Sequence, residues 1–203
     1  NSQIVNIPDS NLKFALLNYS PIIDLNDNNE IEVSEALLVT QLTLPAYQQP
    51  DVIENLTGLE AFTNLVYLDI KGTYSYGTFN ISPFINLEYL DCSNQFNLTV
   101  TGIESLSSTL LHLNCSRTNV AALANINVMT NLQYLDCSRQ VSLPSLNVSN
   151  MANLTYLDCY YSHISSLNVS GSGLTTLNCS SNNLTSLNLS TLANLTNLNC
   201  SGN

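Results

Sequence analysis

Leucine recurs along this chain in a fixed arrangement with polar residues between. The segments Leu65-Val-Tyr-Leu-Asp-Ile70, Leu87-Glu-Tyr-Leu-Asp-Cys92, Leu110-Leu-His-Leu-Asn-Cys115, Leu132-Gln-Tyr-Leu-Asp-Cys137, Leu154-Thr-Tyr-Leu-Asp-Cys159, Leu174-Thr-Thr-Leu-Asn-Cys179 and Leu195-Thr-Asn-Leu-Asn-Cys200 share it, and their first leucines lie 22, 23, 22, 22, 20 and 21 residues apart. Leu42-Thr-Leu44 is a shortened copy. Period 2 within each unit sends the fourth and sixth positions, Leu and then Cys or Ile, inward and the third, fifth and seventh outward. Residues 145–149, 166–170 and 186–190 repeat a second alternating stretch in the later copies. Coils this short have no room for a helix of the usual length, about 11 residues. The pattern predicts a right-handed, β-rich superhelix with about eight short strands in one parallel sheet, each coil covering the apolar edge of the last.

This unit resembles the leucine-rich-repeat family, in which LxxLxL is followed after two residues by Asn, Cys or a similar small polar residue. Asn182 and Asn203 match that last place, whereas Thr73, Gln95, Thr118, Gln140 and Ser162 depart from it. The stretch from Ile53 to Leu65 is similar to internalins, and the Cys-bearing strands are similar to secreted Bacteroidetes repeat proteins. The resemblance covers roughly residues 36–203 and implies a leucine-rich-repeat solenoid, a non-catalytic recognition module found extracellularly or on a cell surface. Residues 1–38 are expected to form a small helical cap and residues 39–203 the repeats. The strand ending at Cys200 is followed by no second stretch or polar cap, so further repeats are expected after Asn203, or end-to-end self-association through the uncapped edge.

The cap carries the one strong chemical motif. Residues 24–35 read Asp-Leu-Asn-Asp-Asn-Asn-Glu-Ile-Glu-Val-Ser-Glu, which sets Asp24, Asn26, Asn28, Glu30, Glu32 and Glu35 at the oxygen-donating places of an EF-hand-like calcium loop. Ile31 supplies an apolar anchor, and Asn29 stands where the loop wants Gly. Ser10 is expected to cap a helix through Leu12, Leu16 and Leu17, and Glu35 to open an exiting one. A structural, weakly bound calcium would pin the cap over the first coil; an Asx-rich turn is the alternative.

Composition narrows the partners. Four basic residues against fifteen acidic ones give a net charge of −11, a field that repels phosphate backbones and leaves cations, cationic proteins and neutral glycans open. No stretch approaches the roughly 18 consecutive apolar residues of a membrane span. The six cysteines all fall at one inward strand position, where parallel Cα–Cβ vectors about 4.8 Å apart do not suit a disulfide, so all six are expected to be reduced and buried.

The outward positions read Tyr67, Tyr89, His112, Tyr134 and Tyr156 beside Asp69, Asp91, Asp136 and Asp158, an aromatic stripe next to an acidic one. That face suits a protein or glycan ligand; stacked rings on a parallel sheet also stabilise the sheet itself. Neighbouring carboxylates such as Asp69 and Asp91 raise a glycosidase reading, but a ladder makes such pairs by repetition and no cleft is implied. The leading expectation is an extracellular recognition module. A rigid spacer or adhesin stalk, or the targeting part of a larger secreted enzyme, are the alternatives.

Overall fold

The computed structural model describes residues 3–46, 52–121, 123–141 and 143–203. A short helix, α1 (Ser10–Leu17), opens the cap and buries Leu12 and Leu16 against the first coil. Asp9, not Ser10, caps it: one carboxylate oxygen accepts the Asn11 and Leu12 amides at 3.0 and 2.9 Å. The other oxygen accepts the Glu54 and Asn55 amides at 2.8 and 2.9 Å, so a single side chain ties the helix to the first coil. The expected exiting helix is one turn only, α2 (Val33–Ala36), with Glu35 inside it rather than at its start. Its approach is held by the N-terminal segment, where Val5 N–H donates to Ile31 C=O and Val33 N–H to Gln3 C=O, both at 2.8 Å.

Eight three-residue strands form one parallel sheet: Gln41–Thr43, Tyr67–Asp69, Tyr89–Asp91, His112–Asn114, Tyr134–Asp136, Tyr156–Asp158, Thr176–Asn178 and Asn197–Asn199. Register is set by the repeat, with Tyr67 opposite Tyr89, Tyr134 opposite Tyr156 and each Leu opposite the next. The inward leucines from Leu68 to Leu157 are fully buried, each contributing about 1.5–3 kcal/mol of transfer free energy. The last coil lacks a neighbour on one side, which leaves Leu198 44% exposed.

A second parallel ladder joins Ser145–Asn147 to Ser166–Asn168, as expected, but residues 186–190 carry the same pattern without entering it. The early coils have their own three-stranded ladder, Tyr76–Asn80, Asn97–Thr101 and Asn119–Val120, which the repeat pattern did not announce. Short 3₁₀ turns at Leu59–Ala61, Ile103–Leu106 and Leu123–Val128 complete the opposite side.

Between the two sides runs a buried polar ladder. Gln95 donates to Ile70 C=O, Thr118 to Cys92 C=O at 2.6 Å, Gln140 to Cys115 C=O at 2.8 Å, Ser162 to Cys137 C=O at 3.1 Å and Asn182 to Cys159 C=O at 2.9 Å. Gln95, Thr118, Ser162 and Asn182 also accept from backbone N–H groups; Gln140 N–H, for example, donates to Ser162 Oγ at 3.2 Å. Four of the five departures from Asn, Gln95, Thr118, Gln140 and Ser162, therefore keep the ladder continuous, because a polar side chain other than Asn can also satisfy the turn's backbone carbonyl. Thr73 joins it only through the Gln95 and Ser75 side chains.

Candidate functional site

On the outer face of the eight-stranded sheet the rings at the third position stack into one column. Tyr67 and Tyr89 lie 4.2 Å apart between centroids, Tyr89 and His112 4.3 Å, His112 and Tyr134 4.1 Å, and Tyr134 and Tyr156 4.4 Å, all within 11° of parallel. In-register strands impose this spacing, since neighbouring strands are about 4.8 Å apart. Ring faces are thereby used by one another, and what the column offers a ligand is its edges and hydroxyls. Burial pushes the Tyr89 and Tyr134 phenols well above their ordinary pKa and lowers that of His112, whose cation would be poorly solvated between two rings.

The carboxylates beside the column are less open than alternation predicts. Asp69 and Asp91 are buried, at 9 and 5% exposure, and each acid turns back on its own strand end. Asp69 Oδ1 accepts the Lys71 amide, Asp91 Oδ1 the Ser93 amide, Asp136 Oδ1 the Ser138 amide and Asp158 Oδ1 the Tyr160 amide, at 2.9 to 3.0 Å. Asp91 Oδ2 and Asp158 Oδ2 further accept the Asn114 and Asn178 side-chain amides at 3.1 Å. Burial raises the pKa of Asp69 and Asp136, partly offset by these hydrogen bonds. The seventh position, expected outward, is buried at Ser93, Ser138 and Ser180. The reason is local: the strand has already ended, and the chain is turning inward toward the polar ladder.

In the cap loop, the predicted ligands hold each other and the backbone. Asp24 accepts the Asn28 and Asn29 amides at 3.3 and 2.9 Å, Asn26 Oδ1 the Asn28 amide at 3.1 Å, and Asn28 Oδ1 the Glu30 amide at 2.8 Å. Glu35 accepts the Leu25 and Glu32 amides on separate oxygens, at 2.8 and 2.9 Å, and Glu30 pairs with Lys13 at 2.7 Å. Glu32 Oε1 accepts the Asn26 and Asn28 side-chain amides, while its Oε2 is buried without a partner. Among the described residues no three His, Cys, Asp or Glu side chains gather closely enough to hold a metal ion. Asn29 does adopt the left-handed backbone expected of the Gly place, with φ 62°.

The cysteine column is as expected in five places, with Cys92, Cys115, Cys137, Cys159 and Cys179 buried and free. Cys200 is the correction: it is free but exposed, because no coil covers it. On the flank of the sheet, Arg117 and Arg139 sit in the turns that follow the Cys115 and Cys137 strands. They line a groove of about 690 Å³ with Phe96, Val141, Tyr161 and His163.

The backbone course, with its thiol column, can be set beside known structures. The functional domain of InlJ from Listeria monocytogenes, which includes a cysteine ladder, superposes with a TM-score of 0.65 at 25% identity over 99% of this chain. The fold is an internalin-like leucine-rich-repeat solenoid. Internalin C2 and the internalin InlF of L. monocytogenes strain 4b F2365 give TM-scores of 0.63 and 0.52 at 20 and 18% identity, over 97 and 100% of this chain, 86% of the first and 72% of the second. This internalin-like chain spans 48% of the InlJ domain's length. No family model and no curated protein matches the sequence. Among the described residues no helix is long and apolar enough to cross a membrane.

Proposed function

We propose that this chain is a non-catalytic, extracellular or cell-surface recognition module that binds a protein partner across the outer face of its eight-stranded sheet. The observation that carries the reading is the ring column Tyr67, Tyr89, His112, Tyr134 and Tyr156, five side chains fixed at 4.1 to 4.4 Å intervals. Rings already immobilised by packing lose little entropy on binding, which is what makes aromatic residues effective at interfaces. Because their faces are occupied, a sugar has little ring surface to stack on, and Lys or Arg side chains meeting the hydroxyl edges and the carboxylates at Asp136 and Asp158 are favoured over glycans.

The test is an array of purified surface proteins and glycans, with hits measured against Tyr134→Phe with Tyr156→Phe, which keeps the stack and removes the hydroxyls, and Tyr134→Ala with Tyr156→Ala. Asn147→Ala with Asn168→Ala serves as the control on the opposite side. The Ala pair should weaken a protein hit by about tenfold or more, the scale of a lost interface anchor, and added salt should weaken it further. Loss in the Asn pair with the Tyr pairs intact would move the site off the sheet. Hits confined to neutral glycans would replace the ligand class.

For the cap loop we propose calcium as a structural ion, supported by the loop spacing of Asp24, Asn26, Asn28 and Glu35 and by the buried, unpartnered Glu32 Oε2. An anionic oxygen without a donor is costly in the interior, and a hard cation supplies what the amides do not.

A further inference from the structure

The residue two places after each inward Ile or Cys adopts the left-handed conformation in every coil: Gly72 (φ 65°), Asn94 (59°), Arg117 (57°), Arg139 (57°), Tyr161 (52°), Ser181 (54°) and Gly202 (67°). The repeat's turn thus asks for Gly or Asn at this place, and three coils supply one of them. Arg117, Arg139 and Tyr161 occupy it, as does Ser181 in the coil that follows, against the steric preference of a residue that carries a Cβ. His163 is left-handed as well, two residues after Tyr161 in the same coil, with φ 61°. Arg117, Arg139, Tyr161 and His163 line the flank groove described above. Ser181 and Tyr74 are left-handed outside the groove, so what sets the groove residues apart is that large basic and aromatic side chains in consecutive coils are held in this conformation on one surface.

Their chemistry is equally selective. The chain has only four basic residues against fifteen acids, and two of the four are in this groove. Both ion pairs among the described residues use lysine, Lys13 with Glu30 and Lys71 with Asp69, so neither arginine is paired to an acid there. Each guanidinium lies over a ring instead: Arg117 over Phe96 at 5.9 Å and Arg139 over Tyr160 at 5.2 Å. Stacking uses the guanidinium face and orients it while leaving the in-plane N–H groups for a carboxylate. Around them Phe96, Tyr161 and Val141 are 57, 52 and 89% exposed. An aliphatic side chain so open suits apolar side chains of a peptide, which a hydroxyl-covered sugar does not bring.

We infer that this flank groove is a second binding surface, separate from the ring column, which takes an acidic peptide segment of a protein partner. Its carboxylates meet Arg117 and Arg139 in successive coils, and the apolar residues between them cover Phe96 and Val141.

The experiment titrates a short fluorescein-labelled peptide alternating Glu and Leu into the intact chain by anisotropy, at low and high salt. Its Gln-for-Glu counterpart and an oligogalacturonate run beside it. The Glu peptide should bind saturably, weaken with salt, and exceed the Gln peptide by about tenfold, as charge-assisted pairs do. Arg117→Gly with Arg139→Gly should lose that preference yet melt no lower than the wild type, since glycine relieves the strain. Tyr134→Phe with Tyr156→Phe should leave peptide binding unchanged. The inference is overturned by equal binding of the Gln peptide, by undiminished binding to the Gly pair, or by a Gly pair that melts lower. It falls equally if the oligogalacturonate binds where the peptide does not, or if the Phe pair abolishes binding.

Discussion

A thiol in this ladder is as inert as the coil above it makes it. Burial pushes Cys92, Cys115, Cys137 and Cys159 well above the ordinary thiol pKa and Cys179 to about 11, and the shared register holds their Cβ atoms side by side rather than in disulfide geometry. Only Cys200 reaches solvent. In the native state a small maleimide should therefore modify one thiol per chain, all six should react in denaturant without reductant, and Cys200→Ser should abolish the native reaction. A second natively reactive thiol, or fewer than six in denaturant, would contradict the ladder. The inward place of these residues was readable from strict period 2. The exposure of one was not, because burial in a solenoid belongs to the neighbouring coil and not to the residue's own pattern.

At the scale of elements, the eight strands of the main sheet were readable because one pattern recurs at one spacing, and register then follows without choice. The early second ladder, Tyr76–Asn80 with Asn97–Thr101, was not, since Tyr-Gly-Thr-Phe-Asn and Asn-Leu-Thr-Val-Thr share in register only the central Thr78 and Thr99. The cap was read in part: α1 formed, but its cap is Asp9, whose second carboxylate oxygen is recruited by residues 54 and 55 far along the chain. The flank groove escaped notice because its signal is a backbone angle, visible only when Arg117, Arg139 and Tyr161 are aligned with Gly72 and Gly202. The cap loop gives this scale its test. Calcium at ten times its Kd should add about 1.4 kcal/mol, raising the melting temperature by about 3–5 °C for a chain of this size. Glu32→Gln should remove that gain while leaving the calcium-free melting point equal or higher. No heat of binding and an unchanged melting point with calcium would leave the loop an Asx-rich turn.

For the molecule as a whole, the column of rings and acids couples stability to pH, and the sign differs between its members. Burial between Tyr89 and Tyr134 lowers the His112 pKa from 6.5, with Asp91 opposing, so the unfolded chain takes up that proton more readily. Its contribution is present above pH 6.5 and lost as pH falls through the lowered value. Asp69 and Asp136 are shifted the other way by burial, above 3.8, so the folded chain holds their protons more tightly. Their contribution is full below pH 3.8 and lost as pH rises through the raised values. Acidification from about pH 7.5 to about pH 5.5 should thus lower the melting temperature, and further acidification toward about pH 4 should recover part of the loss. His112 and Asp136 are half-buried and the Asp69 side chain keeps 12% of its surface exposed, so solvent screening holds each limb to a few tenths of a kcal/mol, about 1–2 °C. His112→Tyr restores the ring found on either side of it and should flatten the first limb. Asp136→Asn, the residue already present at Asn114 and Asn178, can still accept the Ser138 amide and should flatten the second while raising stability slightly at neutral pH. Calorimetric melting of the wild type and the two variants across that range decides the matter: a wild type that gains stability between about pH 7.5 and about pH 5.5, or a His112→Tyr curve that keeps the first limb, would show that the ring column does not control the response.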